Sequence, residues 1–367
     1  MNTQKMLGLL VALVIIAGVI GVLEKKKVRP VVSNLPTITL GVSNSTSTAS
    51  SSDRIAVKEK TFDRAKEIVA PSGFVNTDDK PITLSQYVGK KVILLDIMTY
   101  SCVNCIRTFP YLIDWYKKYE DKGLVIIGIH TPEFEFEKVQ SNVEAAMKKY
   151  GIEFPVVLDN DYGTWSAYKN LYWPRKYLID IDGFIRYDHI GEGGYAETEE
   201  HIRELLEERA TVLGEKIDLD MPLVEDGAAP VAFGQTPETY LGAARNEYFG
   251  NGTPGKVGAQ EFALPQKLNE GAYYLSGQWN ITSEYAESGR QGDKIVYPIK
   301  AKKAYLVMSA DKPTLVDVSI DGTKVKTITV KDSQLYELYA GKAFGAHELS
   351  LSVSGSGLRA YAFTFGN

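Results

Sequence analysis

The sequence predicts an α/β domain followed by an all-β sandwich, with a transmembrane helix at the N-terminus. Three observations predict this order. Strand and helix patterns alternate between residues 61 and 214, short runs of alternating polarity fill the region after residue 238, and residues 6–23 are an unbroken apolar run. We expect five segments: a membrane anchor at 1–27, a disordered tether at 28–60, the α/β domain at 61–214, a linker at 215–237 and the sandwich at 238–367.

The composition is that of an ordinary globular protein. The chain has 367 residues, of which 44% are hydrophobic and 24% charged, with a formal net charge of -5. This balance argues against nucleic-acid binding. Only two cysteines occur, Cys102 and Cys105, so cysteine serves chemistry here rather than the stapling of the fold.

The apolar run at residues 6–23 is long enough, at about 1.5 Å per residue, to cross a bilayer. It continues into charged residues without a small-residue cleavage site, which predicts an uncleaved single-pass anchor in the cell membrane. The lysines that follow would hold the body of the chain in the cytoplasm by the positive-inside rule. The Ser/Thr-rich tether at residues 43–52, and the family resemblance described below, favour instead an extracytoplasmic body.

Strand and helix signals follow in order along the α/β domain. The predicted strands are residues 92–98, 124–130, 154–159, 176–181 and 184–190, the last two joined by the turn Asp182-Gly183. The predicted helices are residues 62–69, one that begins near Cys105, and residues 134–150, 163–170 and 197–213. The acidic, Ala- and Pro-rich stretch at 215–237 is a linker by composition.

Cys102 and Cys105 lie where the first of these strands ends and a helix begins. A helix N-terminus presents unpaired N–H groups and a partial positive charge, which favour a thiolate over a thiol. Asp96 lies six positions before Cys102 on an apolar strand, where a buried carboxylate has a raised pKa and can exchange a proton with Cys105. A cis proline at Pro174 would press against the dithiol and leave a backbone edge for an extended substrate.

Asp96, the Cys-x-x-Cys pair, Pro110 in the helix and Pro174 together resemble the thioredoxin superfamily. The stretch at residues 81–90 is similar to the TlpA group of membrane-tethered reductases. The resemblance implies a redox-active disulfide between Cys102 and Cys105, with no other cofactor, acting on protein thiols and disulfides.

The same resemblance implies roles for further residues. Trp173, Pro174, Arg175 and Tyr100 are expected at the substrate edge. Two features depart from the family pattern. The dipeptide at residues 103–104 is Val-Asn rather than Gly-Pro, so a thioredoxin-like potential cannot be assumed. Thr108 stands where the TlpA group commonly has a glutamate, which leaves proton handling to Asp96 or to solvent.

Two other readings of the cysteine pair are weaker. Zinc takes four ligands, and the chain has no second cysteine pair and only scattered histidines, so no metal is expected. A structural disulfide with this spacing closes too small a loop to stabilise much. Glu192 is a further carboxylate, either near the site or simply exposed on a surface loop.

The region after residue 238 shows the pattern of an antiparallel sandwich. Its predicted strands are residues 294–300, 304–309, 315–320, 324–330, 335–339, 347–353 and 359–365. Trp279, Tyr273 and Tyr274 could stack on a glycan if they are exposed. Aromatic residues dominate cores, however, and burial is the commoner outcome.

Motifs spread over residues 61–367 resemble the soluble part of DipZ-type cytochrome c biogenesis proteins. They are residues 99–105, 130–134, 172–174, 236–242 and 360–366. The resemblance implies a thioredoxin-like domain followed by a sandwich like a carbohydrate-binding module, both outside the cytoplasmic membrane. A single predicted anchor stands in place of that family's multi-helix CcdA-like region, so a separate CcdA-like membrane protein is the expected electron donor.

The sequence therefore predicts a membrane-anchored extracytoplasmic thiol–disulfide oxidoreductase that reduces protein disulfides. One alternative is a peroxiredoxin-like peroxidase, since Thr99 stands three residues before Cys102, although Leu95 replaces that family's proline. The other is a surface-tethered binding module for a glycan or a protein, in which the redox domain is secondary.

Overall fold

The computed structural model describes residues 51–78, 80–227 and 233–366. The predicted membrane segment and most of the tether lie outside these residues. Within the described ranges, no helix has both the length and the apolar composition needed to span a bilayer.

The first domain is built on a mixed six-stranded sheet. Its strands are β1 (Gly73–Val75), β2 (Val92–Met98), β3 (Leu124–His130), β4 (Val156–Leu158), β5 (Arg175–Ile179) and β6 (Ile185–Ile190). They lie in the order β1-β4-β3-β2-β5-β6, with β2, β3 and β4 parallel and the other pairs antiparallel. Both β2 and β3 are buried along their whole length, which explains their apolar sequences.

Helices cover both faces of this sheet. They are α1 (Ser51–Lys58), α2 (Val103–Tyr119), α3 (Gln140–Tyr150), α4 (Gly163–Ala167) and α5 (Tyr195–Leu213), with a 3₁₀ turn at Glu135–Lys138. The unit of α3, β4 and α4 lies between β3 and β5 in the chain. Since β2 and β5 are antiparallel, with Ile97 opposite Arg175, the end of β2 and the start of β5 lie at the same edge of the sheet.

The N-terminal boundary of this domain differs from the prediction. The tether was expected to remain disordered as far as residue 60, but α1 is helical and ion-paired to the domain. Lys58 Nζ lies 2.7 Å from Asp180 and 2.6 Å from Asp182, and Arg54 also binds Asp182. The helix predicted at residues 62–69 is wrong, because this segment is extended. The partners of α1 lie more than 120 residues away, so local composition could not reveal them.

The segment predicted as a linker is ordered over residues 215–227. Its apolar side chains, Ile217, Leu219, Met221 and Val224, pack against the core of the first domain. The backbone N–H of Val224 donates to Glu199 at 2.7 Å. The many acidic residues of this segment suggest a linker, but its spaced apolar residues hold it against the first domain.

The second domain is a large antiparallel β-sheet. Its strands are β7 (Thr239–Tyr240), β8 (Gly258–Phe262), β9 (Tyr274–Ile281), β10 (Ala286–Ser288), β11 (Lys294–Ala310), β12 (Thr314–Ile320), β13 (Thr323–Val330), β14 (Gln334–Val353) and β15 (Leu358–Gly366). The order is β13-β12-β14-β11-β15-β10-β9-β8, with β7 beside β15. The first part of β11 also pairs with β9, so the sheet turns back on itself around one apolar core.

Several details of this domain differ from the sequence prediction. Two pairs of predicted strands are single long strands, β11 and β14, and β7 to β10 are absent from the sequence prediction. Gly277 interrupts the polarity pattern of β9. Trp279, Tyr273 and Tyr274 are all buried in the core, so these rings are unavailable for stacking on a glycan.

Candidate active site

The two cysteines occupy the first turn of α2 as free thiols. Cys102 is the N-cap residue of the helix and is partly exposed, whereas Cys105 is fully buried. Burial, followed by a hydrogen bond with Cys102, raises the pKa of the Cys105 thiol. The exposed sulfur can therefore meet a substrate, while the buried one needs a nearby base before it can act as a nucleophile.

Asp96 is placed to be that base. Its side chain is fully buried on β2, and burial raises its pKa from 3.8 to about 6 even though the Lys176 ammonium opposes the shift. Neither carboxylate oxygen has a hydrogen-bond partner among the described residues. Its charge also acts on Cys105, so the proton of the buried thiol and the Asp96 carboxyl are electrostatically linked.

Lys176 is a functional-site residue that the sequence reading did not identify. It lies directly across from Asp96 in the β2–β5 ladder and is fully buried. Its ammonium donates to the carbonyl of Gly191 at 3.2 Å. Burial lowers the pKa of Lys176, although the negative charges of Asp96 and Cys105 act to raise it. The sequence does contain a signal for this residue, because lysine is seldom found within an apolar, buried strand unless it has a partner.

Glu137 is a second buried charge that was missed. Ser101, which precedes Cys102, donates its hydroxyl to Glu137 Oε1 at 2.6 Å. The other carboxylate oxygen accepts the N–H groups of Glu133 and Phe134 at 2.6 and 3.1 Å. Burial raises the pKa of Glu137. This carboxyl thus ties the loop before Cys102 to the 3₁₀ turn.

Tyr100, predicted at the substrate edge, is buried. Its ring stacks on His130, with centroids 5.5 Å apart. Burial lowers the pKa of His130 to about 3, so this imidazole stays neutral at physiological pH. Tyr100 instead lines a cavity of about 360 Å³ that it shares with residues 331–334 of the second domain.

The Trp173–Pro174 loop leads into β5 at the edge of the sheet where β2 ends. The Trp173–Pro174 peptide bond is cis, and the carbonyl of Pro174 accepts the N–H of Gly191 at 2.8 Å. Trp173 is half-buried and donates to the carbonyl of Thr131 at 3.0 Å. Arg175 is ion-paired with Asp188 at 2.6 Å, beside a separate cavity. The predicted substrate role of Arg175 therefore has no geometric support.

Two residues near the dithiol clarify the departures from the family pattern. Thr108 is buried and donates to the carbonyl of Asn104 at 3.0 Å, so it offers no titratable group. Glu192 lies beside α2, with Oε1 3.1 Å from Arg107. Gly191 adopts a positive φ of 85° in the loop that carries Glu192, a conformation that favours glycine. Of the two readings of Glu192, the one near the site is correct.

In the described part of the chain, one cluster of three carboxylates has ligand atoms close enough together to hold a metal ion. It consists of Asp180, Asp182 and Glu208. Lys58 places its ammonium among these carboxylates, and Arg186 pairs with Asp180 at 3.1 Å. The cluster lies at the β5–β6 turn, at the opposite end of β5 from Pro174, and serves to hold α1.

Two family models match the chain. The AhpC/TSA family matches residues 62–188, and the thioredoxin like C-terminal domain matches residues 236–366. A solved structure, a thioredoxin-like protein in the oxidised form, is 24% identical and covers 40% of this chain and 97% of its own, with a TM-score of 0.37.

Two curated relatives show where the chain belongs. Protein DipZ of Mycobacterium tuberculosis is 35% identical over 303 residues, which is 82% of this chain but 43% of DipZ. The chain thus spans less than half the length of DipZ. The thiol-disulfide oxidoreductase ResA of Bacillus cereus is 32% identical over 150 residues, which is 40% of this chain and 82% of ResA. Because ResA aligns over most of its own length, and because the dithiol, the buried aspartate and the cis proline converge at one edge of the sheet, the protein belongs to the thioredoxin-like thiol–disulfide oxidoreductases.

Proposed function

We propose that this protein is a membrane-anchored, extracytoplasmic reductase of protein disulfides that acts in cytochrome c maturation. The observation that carries the proposal is the partly exposed Cys102 beside a buried Cys105, on which the charge of the buried Asp96 carboxyl acts. The similarity to DipZ and ResA supports the class of reaction.

The reaction begins when the Cys102 thiolate attacks one sulfur of a substrate disulfide. The substrate S–S bond breaks, its other sulfur leaves as a thiolate and takes up a proton, and a mixed disulfide forms. Cys105 then gives its proton to Asp96 and attacks the sulfur of Cys102. The substrate leaves with two thiols, and the protein keeps the two-electron-oxidised Cys102–Cys105 disulfide.

A further turnover requires an external dithiol to reduce this disulfide. The donor we propose is a CcdA-like membrane protein, as the family resemblance implies. The apolar run at residues 6–23 supports an anchor that would keep the two proteins in one membrane. Reporter fusions after Ser52 should be active outside the cytoplasm; activity only in the cytoplasm would reverse the assigned orientation.

Single cysteine variants test the mechanism. Cys102→Ser should abolish reduction of insulin disulfides, because it removes the nucleophile. Cys105→Ser should accumulate a mixed disulfide with the substrate, detectable by mass spectrometry, because nothing resolves it. Undiminished turnover in Cys102→Ser would disprove the mechanism. A strongly reducing potential of the Cys102/Cys105 couple would support a reductase, and a value near that of periplasmic oxidants would reverse the direction of electron flow.

A peroxidase is the second candidate, and the AhpC/TSA match over residues 62–188 favours it. In this reaction a hydroperoxide would be reduced to an alcohol and water while the dithiol becomes a disulfide. Thr99 is buried, with its hydroxyl 3.3 Å from His130. Peroxide consumption that exceeds insulin reduction by the same preparation would select the peroxidase.

A further inference from the structure

A cavity of about 390 Å³ lies between the two domains, beside the residues that separate the cysteines. Residues 103–104, Arg107 and Glu192 form one wall. The other wall is formed by residues 235–238, an irregular segment just before β7, and by residues 364–366 of β15. The volume is in the range of sites that bind ligands.

Polar atoms in the second wall have no partner among the described residues. Thr364 is only 6% exposed, yet its hydroxyl makes no hydrogen bond. The side-chain carbonyl oxygen of Gln235 is also buried and also makes no hydrogen bond. Unpaired buried polar atoms cost roughly 1–3 kcal/mol each, and both of these atoms are closed to solvent, so a ligand reaches them only when the wall shifts.

The two walls are joined through Arg107. Its guanidinium lies 3.4 Å from the side-chain oxygen of Asn104, a residue between the two cysteines in the sequence. It also lies 3.1 Å from the Glu192 carboxylate. The same side chain interacts with Tyr305 of the second domain and lies against Gly366. The second domain therefore directly contacts the helix turn that carries the dithiol.

We propose that this cavity binds the stretch of a polypeptide substrate that flanks the cysteine attacked by Cys102. The inference rests on the proposed reductase function and assigns part of the substrate site to the second domain. A peptide advances about 3.3 Å per residue, so residues next to a cysteine bonded to Cys102 reach a cavity that begins at Val103. A small-molecule disulfide bonded to Cys102 would be too short to reach the cavity.

The chemistry of the walls specifies the kind of segment. Once a small shift of the wall exposes them, the Gln235 oxygen can accept a peptide N–H and the Thr364 hydroxyl can donate to a peptide carbonyl. Phe365 provides an apolar surface. Arg107 pairs with Glu192 at 3.1 Å, and Glu238 accepts the Tyr240 hydroxyl with its pKa raised to about 7, so at neutral pH the walls carry less than one net negative charge. An extended segment with neutral or basic side chains fits best.

Pro237 offers a test because it is exposed and lines the cavity. Pro237→Trp should fill the cavity. We expect the ratio of kcat/KM for a polypeptide disulfide such as insulin to that for a small aromatic disulfide to fall at least tenfold. Pro254→Trp, at an exposed loop position of the same domain, should leave the ratio unchanged. An unchanged ratio in Pro237→Trp would overturn the proposal.

A second measurement uses an unaltered cavity. Cys105→Ser is trapped as a mixed disulfide either with a cysteine-containing peptide or with a small aromatic thiol. Amide exchange at residues 235–238 and 364–366 should slow only in the peptide adduct; equal exchange in both adducts would refute peptide binding here. Failure of the reductase function would differ, since the wild-type protein would then reduce neither substrate.

Discussion

The buried carboxyl of Asp96 has opposite consequences for turnover and for stability. As a base it accepts the proton of Cys105 only when ionised, above its pKa of about 6. We expect the release of the mixed disulfide to accelerate as pH rises through 6. Asp96→Asn should lose this inflection and slow the step by at least 100-fold at pH 7, measured by stopped flow. Because His130 has a pKa of about 3, it cannot supply the inflection instead.

The same burial destabilises the fold when Asp96 is ionised. Its pKa is about 6 in the folded state and 3.8 in the unfolded chain, so its favourable contribution is complete below 3.8 and is lost as pH rises through 6. Between pH 4 and pH 7, wild type should lose about 2 kcal/mol relative to Asp96→Asn, as measured by urea unfolding. Asp121→Asn, at an exposed site, should follow wild type. Parallel stability curves for wild type and Asp96→Asn would contradict the assignment.

Glu137 acts on the dithiol through Ser101. Glu137→Gln replaces one acceptor oxygen with an NH2 donor. If this group faces Ser101, the bond from the Ser101 N–H is lost although the hydroxyl can accept instead; if it faces the other way, both backbone N–H bonds are lost. We expect about 2 kcal/mol of destabilisation and a changed rate of Cys102 alkylation. Glu135→Gln, on the same turn but exposed, should change neither. A purely structural role would leave the alkylation rate of the folded variant untouched.

At the scale of elements, α1 is held by ion pairs of Lys58 and Arg54, of which Lys58 is the more buried. Lys58→Met would leave the carboxylates of Asp180 and Asp182 with fewer cations in a largely buried setting. Removing one partner of a buried ion pair costs about 3 kcal/mol. Urea unfolding should show this loss, whereas Lys60→Met at an exposed position should not. Equal stability of the two variants would mean that α1 is not anchored by this cluster.

At the scale of the whole molecule, an aromatic cluster joins the two domains. Tyr361 of β15 lies 5.1 Å from Phe134 and 4.9 Å from Phe136, measured between ring centroids. A contact between domains of this kind couples their unfolding. Tyr361→Ala should lower the free energy of unfolding by about 3 kcal/mol and resolve two calorimetric transitions where wild type shows one. Tyr361→Phe keeps the ring and should keep the single transition.

Asp96 and Pro174 show which parts of the site were open to sequence reasoning. Both belong to patterns of short spacing, and an apolar strand before Cys102 suffices to predict that Asp96 is buried. Arg175 and Tyr100 follow equally local patterns, but their side chains are engaged by Asp188 and stacked on His130. Orientation at the site depends on partners from other strands, which spacing alone does not reveal.

The sequence by itself determined the order of the domains, the central strands and the identity of the dithiol, because each is encoded in periodicity or in neighbouring residues. Only the tertiary structure decided that Lys176 lies opposite Asp96, that Glu137 binds the Ser101 hydroxyl next to Cys102, that α1 belongs to the first domain and that the second domain contacts Arg107. These features arise from residues distant in the chain, whose charges and hydrogen-bonding groups meet only after the fold has formed.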